Sequence, residues 1–251
     1  PNEANEKNQT EIVKTPEILE RLDEIFAHST SASMLKKFAA CPLDFYYQYV
    51  MEFGEEEKVE EEIENNTFGT FIHNALEEMY QPFARFDKKG LKVEPAPPAI
   101  TSFDIDKMLK HYEYEIDKQF YNHFNEDKEA YSKGKNLLSY KMALELTERF
   151  LKKEKEFLMQ QTTPVFIESL ERELRADVEI EVLGVKKKVH LKGFVDRIDS
   201  IDGKFRIIDY KSGKVKQDDT STVKKKVDLE KVIQGCLGKK HVLQLIMYCY
   251  L

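Results

Sequence analysis

Apolar residues first become regular over Phe68–Tyr80. Phe68, Phe71, Ile72, Ala75, Leu76 and Met79 recur at three- and four-residue spacing, which puts them on one stripe of an amphipathic helix. Residues 1–30 are polar, with little periodicity until Ile18–Phe26, and read as a tail or linker with a short helix. Ser31 to Val50 reads as helical, with Ser31 or Ser33 as N-cap and Phe38, Phe45, Tyr46 and Tyr49 as packing bulk. Glu55–Glu64 is an acidic run, read as a solvated segment. After a proline-containing connection from Gly90 to Pro98, two long helical stretches are predicted, at about Asp104–Tyr131 and Leu137–Gln160.

The period then changes. From Val165 to Tyr210 alternating and β-branched residues predict strands. Ser212 to Glu230 is polar and lysine-rich, read as a loop, and Leu243–Leu251 reads as a last helix. Helices, then antiparallel strands, then a helix predict one mixed α/β domain over 31–251. Within it, 31–160 is mainly helical and 165–251 forms the sheet core.

Composition narrows the class. A chain of 251 residues suits one large domain or two small ones. No apolar run is long enough to cross a bilayer, and no membrane partner is expected. Cys41, Cys236 and Cys249 form no even framework and no close pair, which favours free thiols and a reducing, cytoplasmic setting. The net charge of −7 argues against a generally basic DNA-coating protein. It leaves room for a metal site and for local phosphate contacts.

The strongest local signal runs from His190 to Lys211. Asp202-Gly203 suits a two-residue type I′ turn. In that register Ile201 faces Lys204, Asp199 faces Arg206, and Asp196 faces Asp209. A four-residue loop from Ser200 to Gly203 would break the alignment. The opposite charges of Asp199 and Arg206 support it. Asp196 and Asp209 would then have Cβ atoms roughly 5 Å apart. Two carboxylates so placed need a shared proton or a cation. Lys211, two residues past Asp209, projects from the same face. Phe194, Ile198, Phe205 and Ile207 are expected to line that face and partly exclude water. Carboxylates and an amine on an apolar wall are a local inconsistency of the kind that marks function. Hard oxygen ligands favour Mg²⁺ or Mn²⁺, and the natural chemistry is phosphodiester hydrolysis.

These residues resemble the PD-(D/E)xK nuclease superfamily, with Asp196 as the first acid and Asp209-Tyr210-Lys211 as the D-x-K half. The nearer resemblance is to RecB/AddB-type exonuclease domains and the related CRISPR-adaptation nucleases. It rests on Gly69-Thr-Phe-Ile-His73, Gly193-Phe-Val-Asp196-Arg197 and Gln244-Leu-Ile-Met-Tyr248. An opening segment adds Ser31-Ala-Ser33-Met-Leu35, Cys41-Pro42 and Phe45-Tyr46. The motifs keep the family's order and span about Ser31 to the last residue.

The resemblance implies a restriction-endonuclease-like mixed central β-sheet flanked by helices, with a substantial helical insertion. It implies that His73, Asp196 and Asp209 ligate the metal with the Tyr210 carbonyl, and that Lys211 is the catalytic lysine. Gln244 and Tyr248 would contact DNA or support the lysine, with Arg197 and Gly69 also binding or supporting. From the residues alone, His73 lies off the apolar stripe, and a solvent-facing histidine and a ligand stand level. Gln244 and Tyr248 share a helix face at i, i+4 spacing, which ordinary helix packing explains. Glu171 reads as a surface charge, with a site acid as the alternative.

Relatives with an iron–sulfur cluster pair an early cysteine with three closely spaced ones after the Gln-x-x-x-Tyr helix. Cys236 and Cys249 do not fit that spacing. No cluster is expected in this chain, and Cys41 is expected to be a buried thiol. Lys214, Lys216, Lys224, Lys225 and Lys226, with Lys186 to Lys188, offer either phosphate contacts or a solvated loop. The reading is therefore a metal-dependent exonuclease-type deoxyribonuclease, acting on DNA in recombination or repair with a helicase subunit or domain as partner. The alternatives are a catalytically silent DNA-binding module of the same fold and a CRISPR-adaptation-type nuclease.

Overall fold

The computed structural model describes residues 11–54, 62–213 and 241–251. The lysines expected to follow the D-x-K motif, and Cys236, lie outside the described residues. The described chain divides into two compact units. One holds 11–54 and 175–192; the other holds 62–174, 193–213 and 241–251.

In the first unit, α1 (Pro16–His28) is capped by Thr15, whose side chain accepts from the Ile18 N–H. Strand β1 (Thr30–Ser31) follows. Helix α2 (Ala32–Ala40) starts at Ser31, which accepts from Met34. The helix expected from Ser31 to Val50 is broken at Cys41-Pro42. A residue before proline avoids the helical region, and Pro42 then opens α3 (Pro42–Phe45), which continues as a π-helical turn, Tyr46–Val50. Cys41 is half-buried rather than buried.

In the second unit, α4 (Asn65–Tyr80) buries Phe71, Ile72, Ala75, Leu76, Met79 and Tyr80, and Phe68 packs against them. The stretch expected as one helix from Asp104 to Tyr131 is α5 (Ser102–Met108), α6 (Tyr112–His123) and a 3-10 turn, Lys128–Tyr131. A capping box at Thr101 and Asp104 starts α5. Left-handed Asn125 and Glu126 end the run and return the chain, so that Tyr131 packs on Phe120 with ring centroids 5.6 Å apart. The long α7 (Gly134–Gln160) buries Ala143, Thr147, Leu151, Glu154 and Leu158, one residue per turn. Helix α8 (Val242–Tyr250) closes the chain.

The strands are β2 (Val165–Val182), β3 (Val185–Ile201) and β4 (Lys204–Ile208). The sheet is mixed, in the order β1-β3-β2. β1 runs parallel to β3, and β4 pairs β3 antiparallel. Asp202 and Gly203 both have positive φ, as a type I′ turn requires. The ladder pairs Ile201 with Lys204 and Asp199 with Arg206, as expected, and ends at Arg197 with Ile208. Asp196 and Asp209 lie just past that end.

The faces of this hairpin correct one expectation. Phe194 and Phe205 are 56% and 74% exposed, and Ile207 is 36% exposed, so they form no wall around the carboxylates. The opposite face is the buried one, and it carries Val195, Arg197 and Asp199. Burial of those charges is possible because each is answered. Arg197 Nη2 lies 2.7 Å from the Glu154 carboxylate, and Arg197 Nε donates to Asp199 at 2.6 Å. Arg206 donates to Asp199 at 2.6 Å and lies 3.5 Å from Glu154. The ring of Tyr80 sits 4.3 Å from the Arg197 guanidinium. Ion pairing among α7, β3 and β4 thus overrides the rule that apolar residues face inward.

Replacing Arg197 by alanine leaves the buried carboxylates of Glu154 and Asp199 to share Arg206 alone. The expected loss is about 3–5 kcal/mol of stability, read as a lower urea midpoint with an unchanged slope. A loss below roughly 1 kcal/mol would show that the network holds nothing.

Candidate functional site

The second unit gathers the acidic residues where β3 and β4 part. Beyond Ile208 the chain leaves the ladder, and the Tyr210 N–H turns back to donate to Asp196 Oδ2 at 2.5 Å. The Tyr210 carbonyl accepts from His73 Nε2 at 3.0 Å. Its ring is buried against Phe150 and the edge of His73. One residue thus fixes the strand acid through its N–H, the helical histidine through its C=O, and both against the core through its side chain.

The Tyr210 contact also settles the tautomer of His73. A carbonyl only accepts, so Nε2 carries the proton. Nδ1, the other ring nitrogen, faces Asp196 Oδ1, 3.6 Å away. An imidazole whose far nitrogen donates to a carbonyl is oriented as metal-bound histidines usually are.

Glu171 joins this pair. One ligand atom from each of His73, Glu171 and Asp196 falls within 4.8 Å of the others. Donors on opposite sides of a Mg²⁺-sized ion stand roughly 4 Å apart, so the set fits a divalent cation with little adjustment. Two carboxylates and one imidazole are also the right donors for such an ion. Glu171 is brought inward by its backbone. Along β2, Val165, Ile167 and Ser169 are buried in alternation, and then Leu170 is buried as well. Glu171 adopts a φ of 43°, a left-handed conformation that breaks the alternation and re-aims its side chain. The doubled burial at Ser169-Leu170 is visible only in the structure, which is why the sequence reads Glu171 as a surface charge.

Electrostatics agree with geometry. Burial, with Asp196, Glu77 and Asp209 nearby, pushes the Glu171 carboxyl up to about 7, against the pull of Lys88. Burial also raises Asp196, helped by Asp209 and opposed by His73, the Tyr210 N–H and Lys211. Both shifts are those of buried carboxyls with other carboxylates close by.

Asp209 stands with a second group. Its Oδ1 accepts from Gln244 at 2.8 Å and from the Tyr248 hydroxyl at 3.3 Å, and its Oδ2 pairs with Lys211 Nζ. Tyr248 also donates to the Phe194 carbonyl at 2.6 Å. The i, i+4 residues of α8 therefore clasp Asp209 and tie it to β3. Gly193 makes the approach of α8 possible, since a Cβ there would stand 3.3 Å from the Tyr248 ring. A Cβ at Gly69 would meet the Ser212 hydroxyl at 3.2 Å, so α4 and the segment after Lys211 also pack closely. Arg197, one residue from Asp196, is fully buried in its ion-pair network and away from solvent.

The sequence profile of the PD-(D/E)XK nuclease superfamily matches residues 29–251. The chain belongs to this superfamily. No curated protein matches it. The superfamily is one of nucleases, whose members typically use divalent metal ions. The mixed sheet with its flanking helices is the restriction-endonuclease-like fold expected of a member. Among the described residues no helix is long and apolar enough to cross a membrane.

The site predicts a proton linkage. Without metal, the folded Glu171 carboxyl binds its proton more tightly than the unfolded one. Its contribution to stability is therefore present at low pH and is lost as pH rises through about 7. A divalent ion favours the ionised form instead. Mg²⁺ or Mn²⁺ affinity should then rise between about pH 6 and about pH 8, with a proton released on binding. Calorimetry in buffers of different ionisation enthalpy measures the release. Glu171→Gln should weaken binding and flatten this dependence, and an equal pH dependence in both proteins would remove Glu171 from the site.

Proposed function

We propose that the protein is a metal-dependent deoxyribonuclease that hydrolyses phosphodiester bonds at the site formed by His73, Glu171, Asp196, Asp209 and Lys211. The observation that carries this reading is the convergence of His73, Glu171 and Asp196 where β3 and β4 part, with the Asp209–Lys211 pair nearby. Mg²⁺ or Mn²⁺ bound there would polarise a phosphoryl oxygen and acidify a water molecule. His73 Nδ1, Asp196 and Glu171 would hold the ion, joined by Asp209, with the Tyr210 carbonyl orienting His73. Lys211, beside Asp209, is placed to orient the attacking water or to offset charge growing on the phosphate oxygens. Gln244 and Tyr248 act through Asp209, keeping its second oxygen toward Lys211. Arg197 and Gly69 support the site through burial and close packing.

Within the superfamily we read an exonuclease of the RecB/AddB type, cytoplasmic, acting in DNA recombination or repair beside a helicase subunit or domain. The ordered motifs at Gly69–His73, Gly193–Arg197 and Gln244–Tyr248 support that finer assignment.

The test is cleavage of end-labelled linear DNA and of closed circular DNA with Mg²⁺, Mn²⁺ or EDTA. Linear DNA should be degraded with either metal and not with EDTA, while the circle survives. Asp209→Ala and Lys211→Ala should each lower the rate by about 100-fold or more. Cutting of the circle would replace exonuclease by endonuclease. No cleavage, together with no metal binding by calorimetry, would sink the enzyme reading and leave a DNA-binding module.

A further inference from the structure

We infer that Arg172 and the turn at 87–90 form a seat for a backbone phosphate of the DNA strand, next to the phosphate held at the metal site. The identity of the ligand rests on the nuclease reading above.

Lys186 to Lys188, which the sequence offers for phosphate, are already engaged with Glu179, Asp23 and Asp177. The segment 84–93 of the second unit is different. The Arg85 N–H donates to the Ile167 carbonyl at 2.9 Å and the Phe86 N–H to the Glu168 carbonyl at 2.8 Å, so the chain runs along β2. A bridge between Phe86 and Lys92 then turns it back as a small hairpin. At its tip the Gly90 N–H donates to the Asp87 carbonyl at 2.9 Å. The Asp87 carboxylate accepts from the Lys89 and Leu91 N–H groups at 2.9 and 2.8 Å. Gly90 has a φ of 80°, a conformation that glycine takes at no steric cost. The tip is fixed by its own hydrogen bonds.

Two contacts fasten the tip to the elements that supply the metal ligands. Lys88 Nζ lies 2.6 Å from Glu77, and Glu77 follows His73 by four residues, one turn along the same face of α4. On the other side Gly90 packs on Arg172, the neighbour of Glu171 in β2. A Cβ at Gly90 would stand 3.2 Å from Arg172 Nη2. The Arg172 guanidinium also lies over the Phe86 ring, 5.7 Å from its centroid. Consecutive Cα atoms are about 3.8 Å apart, so this side chain starts one residue from a metal ligand.

Charge matching along the segment is uneven. Arg85 pairs with Glu168 at 3.3 Å, Lys88 with Glu77 at 2.6 Å, and Lys92 with Glu94 at 2.9 Å. Among the described residues neither Lys89 nor Arg172 forms an ion pair, and Lys89 is exposed. A guanidinium steadied by a ring and a glycine keeps its planar fork of donors for a phosphate. Lys89, on the same tip, adds a second positive charge at the border of the site.

The experiment measures binding of a fluorescent single-stranded oligonucleotide to the full chain by anisotropy, in EDTA, over a series of salt concentrations. Arg172→Gln should weaken binding about 10-fold and lower the salt slope by about 0.7, the share of one phosphate contact. Adding Lys89→Gln should bring the fall in slope to at most about 1.4. Arg172→Lys should keep the parental slope and lose part of the affinity, since the charge stays and the fork goes. Lys92→Gln removes the same charge from the same hairpin, at a lysine already paired with Glu94, and should bind like the parent. With metal restored, Arg172→Gln should raise KM and leave kcat unchanged, and KM decides the matter where binding needs the metal. Parental affinity and slope in Arg172→Gln would overturn the seat, leaving the arginine as cover for Phe86. Weaker binding with an unchanged slope would overturn it as a structural effect, and an equal loss in Lys92→Gln as a general effect of charge. In each of these cases metal-dependent cleavage by the parent keeps the nuclease reading. Binding that Arg172→Gln weakens in this way, without cleavage by the parent, would keep the seat and remove the nuclease reading. Absence of both binding and cleavage in the parent would remove both.

Discussion

A buried guanidinium sets the geometry of the second unit. Arg197 is fully enclosed, and a lone charge there would be intolerable. It is held because Glu154 of α7 and Asp199 of its own strand reach it, while Arg206 of β4 closes the group. The network thereby fixes α7 against β3 and β4. Neighbouring residues on a strand point to opposite faces. Drawing Arg197 to one side therefore delivers Asp196 to the other, where His73 and Glu171 stand. The ion pairs in the interior and the carboxylates of the candidate site are two faces of one constraint.

The site then solves a second problem, that of keeping like charges close. Backbone groups do most of this. The Tyr210 N–H answers Asp196, and its carbonyl answers His73. Asp209 is answered differently, by a lysine and by two side chains of α8. Asp196 and Glu171 keep raised carboxyl pKa values in spite of these contacts. Burial and neighbouring carboxylates outweigh the partners among the described residues, so a further positive charge would be favoured there.

Much of this was legible in the residues. Asp202-Gly203 announces its turn, and the turn fixes the register that pairs Asp199 with Arg206. The stripe from Phe68 to Met79 is a local pattern and appears as written. What was hidden depends on partners distant in sequence. Phe194 and Phe205 look like core and Arg197 and Asp199 look like surface, until Glu154, more than forty positions earlier, is known to face them. Glu171 looks like one of many acids, because a left-handed φ at a glutamate has no mark in composition. The break between α5 and α6 is equally silent: His111 is an ordinary residue whose backbone simply leaves the helical region. Lys186 to Lys188 show the converse, a conspicuous basic run whose charges are spent on nearby carboxylates.

The left-handed backbone at Glu171 has a bearing on how such a protein drifts. A side chain at that φ costs on the order of 1 kcal/mol that glycine would not. Asparagine would suffer less than glutamate, and either replacement would also dissolve the crowding with Asp196. Selection for folding alone therefore pulls this position away from glutamate, and only selection for its carboxylate holds it there. In a lineage that stopped using the site, this residue would be among the first to be exchanged, while the motif acids on β3 and after β4 sit in relaxed backbone and would erode more slowly. The identity of one strained residue on β2 thus works as a gauge of whether a chain with this fold is still under pressure to do chemistry.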